Sequence, residues 1–248
     1  MNTNQKKVAI VTGSSRGIGA AIARRLAADG LAVIVNYAGR VADADKVVQE
    51  IQAAGGKAAA IQADVSVPAE VGALFNQAET LFGGIDIIVN NAGIIQPGLV
   101  PLAETDDSLF DRLLAITLKG TFNMLRLAAK HLRSGGRIVN FSTSVVGLTL
   151  PGYSVYAATK SAVETMTNIF AKELRGRNIS VNAVAPGPTA TDLFLTGKTE
   201  EQITHLAKLP PLERLGRPED IAGLVSFLVG PDGGWVNGQT LRANGGIV

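Results

Sequence analysis

The chain has 248 residues, of which 46 % are hydrophobic and 18 % charged, enough to bury the core of one large α/β domain. Its formal net charge of +2, without dense runs of Lys or Arg, argues against a nucleic-acid partner. The absence of cysteine excludes disulfides, a thiolate nucleophile and a cysteine-based zinc site. The start is polar and leads into only a short apolar run, so we expect a disordered tip over residues 1–6, no membrane anchor and a cytoplasmic protein.

A glycine-rich loop follows the first apolar run. Residues 8–11 predict a strand, TGSSRGIG comes next, and residues 20–26 predict a helix. A loop of this kind between a strand and a helix is typical of dinucleotide binding, because the backbone approaches the phosphates and the helix N-terminus faces them. The residues expected to contact the cofactor here are Gly13, Ser15, Arg16, Gly17, Ile18 and Gly19.

The end of the second predicted strand, residues 32–35, bears on the choice of dinucleotide. An NAD enzyme usually has an acidic residue there, whereas this chain has Asn36, followed by Tyr37. No carboxylate would repel a 2′-phosphate, and Arg16 and Arg40 could bind one. We therefore predict NADP(H) in preference to NAD(H). The alternative is that Arg40 only starts the next helix and Arg16 faces solvent.

Helices and strands alternate through the rest of the chain. Strands are predicted at residues 57–63, 86–89, 136–141, 179–184 and 239–242, and helices at residues 41–54, 68–82, 107–132, 199–208 and 218–228. This alternation predicts a single-domain Rossmann-type α/β fold, a doubly wound parallel sheet with helices on both faces. The single domain would span residues 7–248, with a cofactor half at about 7–140 and a catalytic and substrate half at about 141–248.

Polar and small residues stand at several strand ends, where ligands bind in open α/β sheets. Asp64, next to Val65, could accept the adenine amino group or simply cap the next turn. After the fourth strand, small residues would keep the cofactor edge open and asparagines could tie neighbouring strands together. These residues are Asn90, Asn91, Ala92 and Gly93.

Tyr156 and Lys160 lie four residues apart, so they share one face of a predicted helix. A nearby ammonium favours the phenolate, and we expect it to lower the pKa of Tyr156 and fit it for general acid–base work. The two histidines, His131 and His205, are expected at the surface, and no metal site is predicted.

In identity, order and spacing, the motifs together resemble the short-chain dehydrogenase/reductase family, in particular the 3-oxoacyl carrier-protein reductases and related NADPH-dependent carbonyl reductases. The matching motifs are TGxxxGIG at residues 12–19, NNAG at residues 90–93, Ser144, Tyr156-x-x-x-Lys160 and Pro186-Gly187. The resemblance covers essentially the whole chain after the first few residues. Enoyl reductases of the family space the tyrosine and lysine more widely, which argues against that activity.

The resemblance implies a reaction and roles for several residues. A carbonyl would be reduced by hydride from NADPH while Tyr156 donates a proton, Lys160 binds the nicotinamide ribose and Ser144 holds the substrate oxygen. Ser142, a rival for the serine role, is expected to satisfy backbone groups, and Tyr153 to line the pocket. The nicotinamide would lie beside Pro186, Gly187, Thr189 and Thr191.

One catalytic position departs from the family pattern. Thr117 stands where the family usually has an asparagine that helps a water-linked proton path to the lysine. A threonine hydroxyl is shorter and lacks the donor pair of a carboxamide. We therefore expect Thr117 to lower turnover where proton resupply limits the rate.

The substrate and the partners are less sharply predicted. Residues 189–215 are expected to form a substrate lid, and the resemblance implies a homotetramer acting on a small carbonyl or alcohol. A carrier protein could dock on Arg133, Arg175 and Arg177 if they flank the cleft. Two alternatives stay open: an NADP-linked alcohol dehydrogenase working in the oxidative direction, and a non-catalytic NADP-binding protein.

Overall fold

The computed structural model describes residues 6–248, so the expected disordered tip lies, except for Lys6, outside the described residues. A single parallel sheet runs through the chain, with strand order β3-β2-β1-β4-β5-β6-β7. The strands are β1 (Val8–Val11), β2 (Ala32–Tyr37), β3 (Lys57–Gln62), β4 (Ile85–Asn90), β5 (Leu132–Phe141), β6 (Ser180–Pro186) and β7 (Thr240–Ala243). The order reverses between β1 and β4, which creates a crevice at their carboxyl ends.

Helices cover both faces of the sheet. They are α1 (Gly17–Ala28), α2 (Val41–Ala53), α3 (Pro68–Phe82), α4 (Asp107–Leu113), α5 (Gly120–His131), α6 (Val145–Leu148), α7 (Ser154–Glu173), α8 (Asp192–Leu195), α9 (Glu200–Lys208) and α10 (Pro218–Val229). One apolar layer joins α1, α2 and α10 to the sheet, and the other joins α3, α5 and α7. Strand β1 and the first four residues of β2 are apolar and buried, as expected for a sheet covered on both faces. The predicted doubly wound fold is therefore confirmed.

The long helix predicted at residues 107–132 is wrong in detail. Helix α4 passes into a π-helical segment, Leu114–Lys119, before α5 begins. The helix ends at His131, because β5 already starts at Leu132 opposite Ile85. Apolar periodicity does not distinguish i→i+4 from i→i+5 hydrogen bonding, so the pattern could not reveal the π segment.

A buried polar chain ties the middle of the sheet to α7. Asn90 Nδ2 donates to Asn140 Oδ1 at 2.8 Å, and Asn140 Nδ2 donates to Thr167 Oγ1 at 2.8 Å. Asn91 instead reaches β1, where its Nδ2 donates to the carbonyl oxygens of Thr12 and Gly13 at 2.9 and 3.0 Å. The expectation that these asparagines tie neighbouring strands together is confirmed.

Candidate active site

The glycine loop between β1 and α1 is tightly packed at one end and open at the other. A side chain at Gly19 would place its Cβ 2.5 Å from both the Gly13 carbonyl oxygen and Asn91 Nδ2. Gly17 has φ +56°, a conformation that favours glycine. Arg16, which directly precedes Gly17, is exposed, and Ser15 and Ile18 are half-buried. The loop therefore presents backbone at the start of α1.

The Asn36 side chain makes its hydrogen bonds within the protein. Its Nδ2 donates to the carbonyl oxygens of Ile61 and Ala63 at 3.2 and 3.0 Å, and its Oδ1 accepts from Gly13 N at 3.3 Å. Both donor hydrogens are used and the residue is 1 % exposed. Asn36 therefore positions the glycine loop and leaves Tyr37, half-buried at the end of β2, nearer the crevice.

The two arginines proposed for a 2′-phosphate differ in their surroundings. Arg40 pairs with Asp43 one turn on, at 3.3 Å, and both side chains are largely exposed. Within residues 6–248, Arg16 makes neither a hydrogen bond nor an ion pair through its side chain. The Arg16 guanidinium is thus available to bind an anion. Arg40 would exchange the Asp43 carboxylate for another anion at little cost in free energy, because exposed ion pairs are weak.

The carboxyl end of β3 forms a local turn. Asp64 Oδ1 accepts from the backbone N–H and the hydroxyl of Ser66 at 2.8 and 2.7 Å. Of the two uses open to Asp64, the capping of this turn is the one visible here. Val65 is buried, and its carbonyl oxygen accepts from Asn123 Nδ2 at 2.9 Å. The Val65 contact therefore ties the segment after β3 to α5.

Tyr156 and Lys160 both belong to α7, and their side chains lie between this helix and the end of β5. Burial raises the pKa of Tyr156 to about 12, outweighing a hydrogen bond with the side chain of Thr143 that lowers it. Burial also lowers the pKa of Lys160 to about 8, and its Nζ donates to the Phe141 carbonyl oxygen at 2.7 Å. The expected lowering of the tyrosine pKa is therefore wrong, because desolvation exceeds the influence of the ammonium, whose nitrogen lies 6.0 Å from the ring centroid.

The two serines at the end of β5 have different partners. Ser144 Oγ donates to the Ala185 carbonyl oxygen at 3.2 Å and accepts from Asn244 Nδ2 at 2.9 Å. Ser142 Oγ donates to Glu164 Oε1 on α7, so the expectation that Ser142 satisfies backbone groups is wrong. Because a carboxylate holds Ser142, Ser144 is the serine with a weakly held hydrogen.

Thr117 lies in the π segment, and its hydroxyl and the Lys160 ammonium both border the space beside Gly93. A Cβ placed at Gly93 would be 3.5 Å from Lys160 Nζ and 3.9 Å from Thr117 Oγ1. Thr117 is 1 % exposed, and its hydroxyl oxygen has no hydrogen-bond partner within the described residues. A π segment at this point is informative, since such bulges are frequent at functional sites.

The loop after β6 closes the other side of the crevice. The Pro186 carbonyl oxygen accepts from Ser144 N at 2.9 Å, and Thr189 Oγ1 donates to the Gly187 carbonyl oxygen at 2.9 Å. Thr191 caps α8, and its methyl carbon would lie 3.5 Å from a Cβ at Gly17. Residues expected at opposite ends of a dinucleotide site thus face each other across a narrow cleft.

These features fit a dinucleotide. The glycine loop leaves backbone exposed at a helix N-terminus, and the missing side chain at Gly93 keeps space open in front of Lys160. The unpartnered Thr117 hydroxyl supplies a polar atom at the same place. Across residues 6–248, no group of three or more His, Cys, Asp or Glu side chains is arranged to hold a metal ion, and no helix there is long and apolar enough to cross a membrane.

Sequence reasoning missed three residues that contact Tyr156 or one of the two rival serines: Thr143 beside Tyr156, Glu164 beside Ser142, and Asn244 beside Ser144. Glu164 carried a signal, since it continues the four-residue spacing of Tyr156 and Lys160 along α7. Asn244 is 100 residues from Ser144, and no local pattern could connect them.

Arg133 and Arg177, two of the arginines considered for a carrier-protein surface, lie away from the cleft. Arg133 lies at the amino end of β5, where it contacts Asp86 at 3.3 Å, and Arg177 precedes β6 and donates to two backbone carbonyl oxygens. In a parallel sheet the amino ends of the strands lie at the edge opposite the carboxyl ends. These arginines therefore stabilise the far edge of the sheet.

Comparison with known proteins agrees with this architecture. Residues 13–248 match the family described as "Enoyl-(Acyl carrier protein) reductase". A "Short-chain type dehydrogenase/reductase" of Picea abies is 45 % identical, covering 98 % of this chain and 92 % of the relative. An "NADPH-dependent aldehyde reductase-like protein, chloroplastic" of Arabidopsis thaliana is 44 % identical, covering 98 % and 94 %. A short-chain dehydrogenase from Burkholderia cenocepacia, solved in complex with NADP, superposes with a TM-score of 0.91 at 40 % identity, covering 99 % of each chain.

Fold and site define a Rossmann-type oxidoreductase whose crevice lies at the β1/β4 switch point. With relatives above 40 % identity along nearly its whole length, the chain belongs to the short-chain dehydrogenase/reductase family.

Proposed function

We propose that the protein is an NADPH-dependent reductase of aldehyde or ketone carbonyls, with Tyr156 as the general acid. The observation that carries this proposal is the placement of Tyr156 beside Lys160, whose Nζ lies 6.0 Å from the Tyr156 ring centroid and is anchored on the Phe141 carbonyl oxygen at the edge of the crevice. Burial raises the pKa of the Tyr156 phenol to about 12, which favours its protonated form. A protonated donor is what reduction of a carbonyl requires, because the oxygen gains a proton as the carbon gains hydride.

The side chains divide the work at the reacting oxygen. NADPH, when bound, supplies the hydride. Tyr156 gives its proton to the substrate oxygen, and Ser144 turns its hydrogen from Ala185 to the same oxygen, since the existing contact of 3.2 Å is long. Lys160 is mainly protonated at pH 7, and its charge stabilises the phenolate that remains. One positioned donor of this kind contributes roughly 3 kcal/mol to transition-state stabilisation.

The preference for NADPH rests on charge at the end of β2. Asn36 contributes no carboxylate there, and Arg16 is exposed without a partner among the described residues. The names of the Arabidopsis relative and of the Burkholderia complex include NADPH and NADP, respectively. Replacing Arg16 by Ala is expected to weaken NADPH use about 10-fold or more and to leave NADH use nearly unchanged, because only NADPH carries the 2′-phosphate.

The test is oxidation of NADPH and, separately, NADH with aldehydes, cyclic ketones, sugars, β-ketoacyl thioesters and an enoyl thioester. Tyr156→Phe is the active-site variant, and Tyr153→Phe is its matched control, since the two rings lie 6.1 Å apart. We expect NADPH-dependent carbonyl turnover that collapses only in Tyr156→Phe. Turnover confined to the enoyl thioester would favour the activity in the family description. Tight NADPH binding without turnover would favour a non-catalytic protein, and efficient alcohol oxidation alone would favour a dehydrogenase.

Assembly and location are part of the same proposal. We infer a homotetramer in the cytoplasm, with residues 189–215 as the lid. Support for assembly comes from the exposed apolar side chains of Phe122, Ile169 and Trp235, which are 46 %, 52 % and 99 % exposed. Light scattering on the purified protein tests the tetramer directly, and a monomer at micromolar concentration would contradict it.

A further inference from the structure

We infer that Asn244 is a positioning residue for the catalytic hydroxyl of Ser144. The inference rests on the proposed reductase chemistry and adds a residue to it. Asn244 follows β7 directly, and its Nδ2 donates to Ser144 Oγ at 2.9 Å. The backbone N–H of Ser144 cannot take this role, because it donates to the Pro186 carbonyl oxygen.

The orientation of the Asn244 amide is fixed from both ends. Its Oδ1 accepts from Gly246 N at 3.0 Å, and its Nδ2 donates to the Val248 carbonyl oxygen at 3.1 Å as well as to Ser144. A flipped amide would place its NH2 group against the Gly246 N–H and its oxygen against the Val248 carbonyl oxygen. Only one orientation therefore satisfies the network. Gly245 and Gly246 adopt φ +67° and +88°, which lets the chain turn back onto the asparagine side chain.

This arrangement decides where the serine hydrogen can point. Because one lone pair of Ser144 Oγ accepts from Asn244, the O–H must be directed elsewhere. Two directions are available: the Ala185 carbonyl oxygen at 3.2 Å and a substrate oxygen in the crevice. Accepting a hydrogen bond also makes a hydroxyl a stronger donor. Asn244 thus holds Ser144 Oγ in place while its hydrogen changes partner.

Glycines at two neighbouring positions leave room for the segment that carries Asn244. A Cβ at Gly187 would lie 2.7 Å from Asn244 Cα, and a Cβ at Gly147 would lie 2.7 Å from a methyl carbon of Val248. Leu212, at the end of the proposed lid, donates its N–H to the Gly245 carbonyl oxygen at 3.3 Å. The segment at residues 244–248 therefore links the catalytic serine to the lid.

The test combines kinetics with crystallography. Asn244→Ala is expected to lower kcat about 10-fold and to leave NADPH affinity unchanged. In a Ser144→Ala background, Asn244→Ala is expected to change kcat by no more than about 2-fold, because residues that act through one another are not additive. Asn244→Asp, which keeps the shape and the Gly246 contact, is expected to be as slow or slower, since a carboxylate captures the serine hydrogen.

The matched control is Asn237→Ala. Asn237 also binds backbone near β6, accepting from Val181 N at 2.8 Å, but does not touch Ser144, so its kcat is expected to equal that of the wild type. Equal losses from Asn244→Ala with and without Ser144, or no loss, would overturn the inference. If wild type turns over none of the substrates, the proposed function fails. Crystal structures of wild type and Asn244→Asp then decide alone: a changed Ser144 rotamer supports the inference, and an unchanged one overturns it.

Discussion

At the scale of single residues, hydrogen-bond partners decide which polar side chains are available for chemistry. Asn36 and Ser142 stand at positions that suggest ligand contact, yet backbone carbonyls and the Glu164 carboxylate already use their hydrogens. Ser144 has only a long contact to Ala185 to give up. Residue type at a strand end therefore nominates candidates, and the inventory of donors and acceptors selects among them.

We predict that Lys160 sets the pH dependence of the proposed reaction. With a pKa of about 8, the ammonium is charged below that pH and neutral above it, while Tyr156 keeps its proton up to about pH 12. We predict that kcat/KM for carbonyl reduction is level below pH 7 and falls tenfold per pH unit well above 8. Initial rates at constant ionic strength check this. A profile that rises through pH 8 would contradict it.

The same pKa predicts a change in stability. Between about pH 8 and the ordinary lysine value of 10.5, the unfolded chain binds the proton that the folded protein has lost. The contribution of Lys160 to the free energy of unfolding therefore increases with pH across this window. Urea unfolding of wild type and Lys160→Met at pH 7.5 and 9.5 measures it. The wild type should gain stability relative to the variant at the higher pH, and an opposite change would show that another group dominates.

Two substitutions at Thr117 are predicted to change kcat in opposite directions. Its hydroxyl is buried without a partner near Lys160, and a carboxamide there would present two donors and an acceptor. Thr117→Asn is expected to raise kcat about 2- to 5-fold where proton resupply limits the rate, and Thr117→Val, of equal shape, to lower it. Steady-state kcat with its solvent isotope effect measures both. An asparagine variant no faster than wild type would contradict the role of Thr117 as the weak link.

At the scale of elements, the close approach of neighbouring loops, rather than a need for flexibility, explains why glycine stands at position 19. The start of α1 packs on the loops after β1 and β4, so that a Cβ at Gly19 would collide with Gly13 and Asn91. Downstream, the π segment Leu114–Lys119 carries Thr117, whose hydroxyl borders the space beside Gly93 as Lys160 does. Both elements are shaped by what they face across the crevice.

Gly19→Ala is expected to destabilise the protein by about 1–3 kcal/mol, because the methyl group requires the loops to separate. Weaker NADPH binding should accompany this loss. The matched control is Gly72→Ala in α3, whose added Cβ meets no atom within 4 Å and should stabilise the helix by up to about 1 kcal/mol. Thermal unfolding and cofactor fluorescence measure both effects. Equal stability of Gly19→Ala and wild type would show that the loops yield easily.

At the scale of the whole molecule, seven parallel strands are held between two helical layers, and polar groups cross the sheet at few points. The chain from Asn90 through Asn140 to Thr167 joins two central strands to α7, which carries the proposed catalytic pair. Both asparagines are buried, at 4 % and 0 % exposure. Rigidity of the active-site helix thus depends on a polar connection beneath it.

Asn140→Ala is expected to cost about 2 kcal/mol of stability, because it leaves the Asn90 amide donor unpaired in the core. The Thr167 hydroxyl loses the Asn140 donor but keeps its hydrogen bond to the Val163 carbonyl oxygen at 2.8 Å. Asn168→Ala, on the exposed side of α7, serves as the control and should change stability by less than about 0.5 kcal/mol. Urea unfolding monitored by circular dichroism compares the two. Similar values for both variants would show that the buried chain is replaceable.

The sequence by itself determined the fold, the order of its elements and the crevice edge, because glycine loops, apolar runs and i,i+4 spacings are local signals. It also nominated Ser144, Tyr156 and Lys160. Only the tertiary structure decided the π segment, the backbone hydrogen bonds of the Asn36 side chain, the raised pKa of Tyr156 and the contact between Asn244 and Ser144. Those properties depend on desolvation and on hydrogen bonds between residues up to 100 positions apart, and neither exists until the chain has packed.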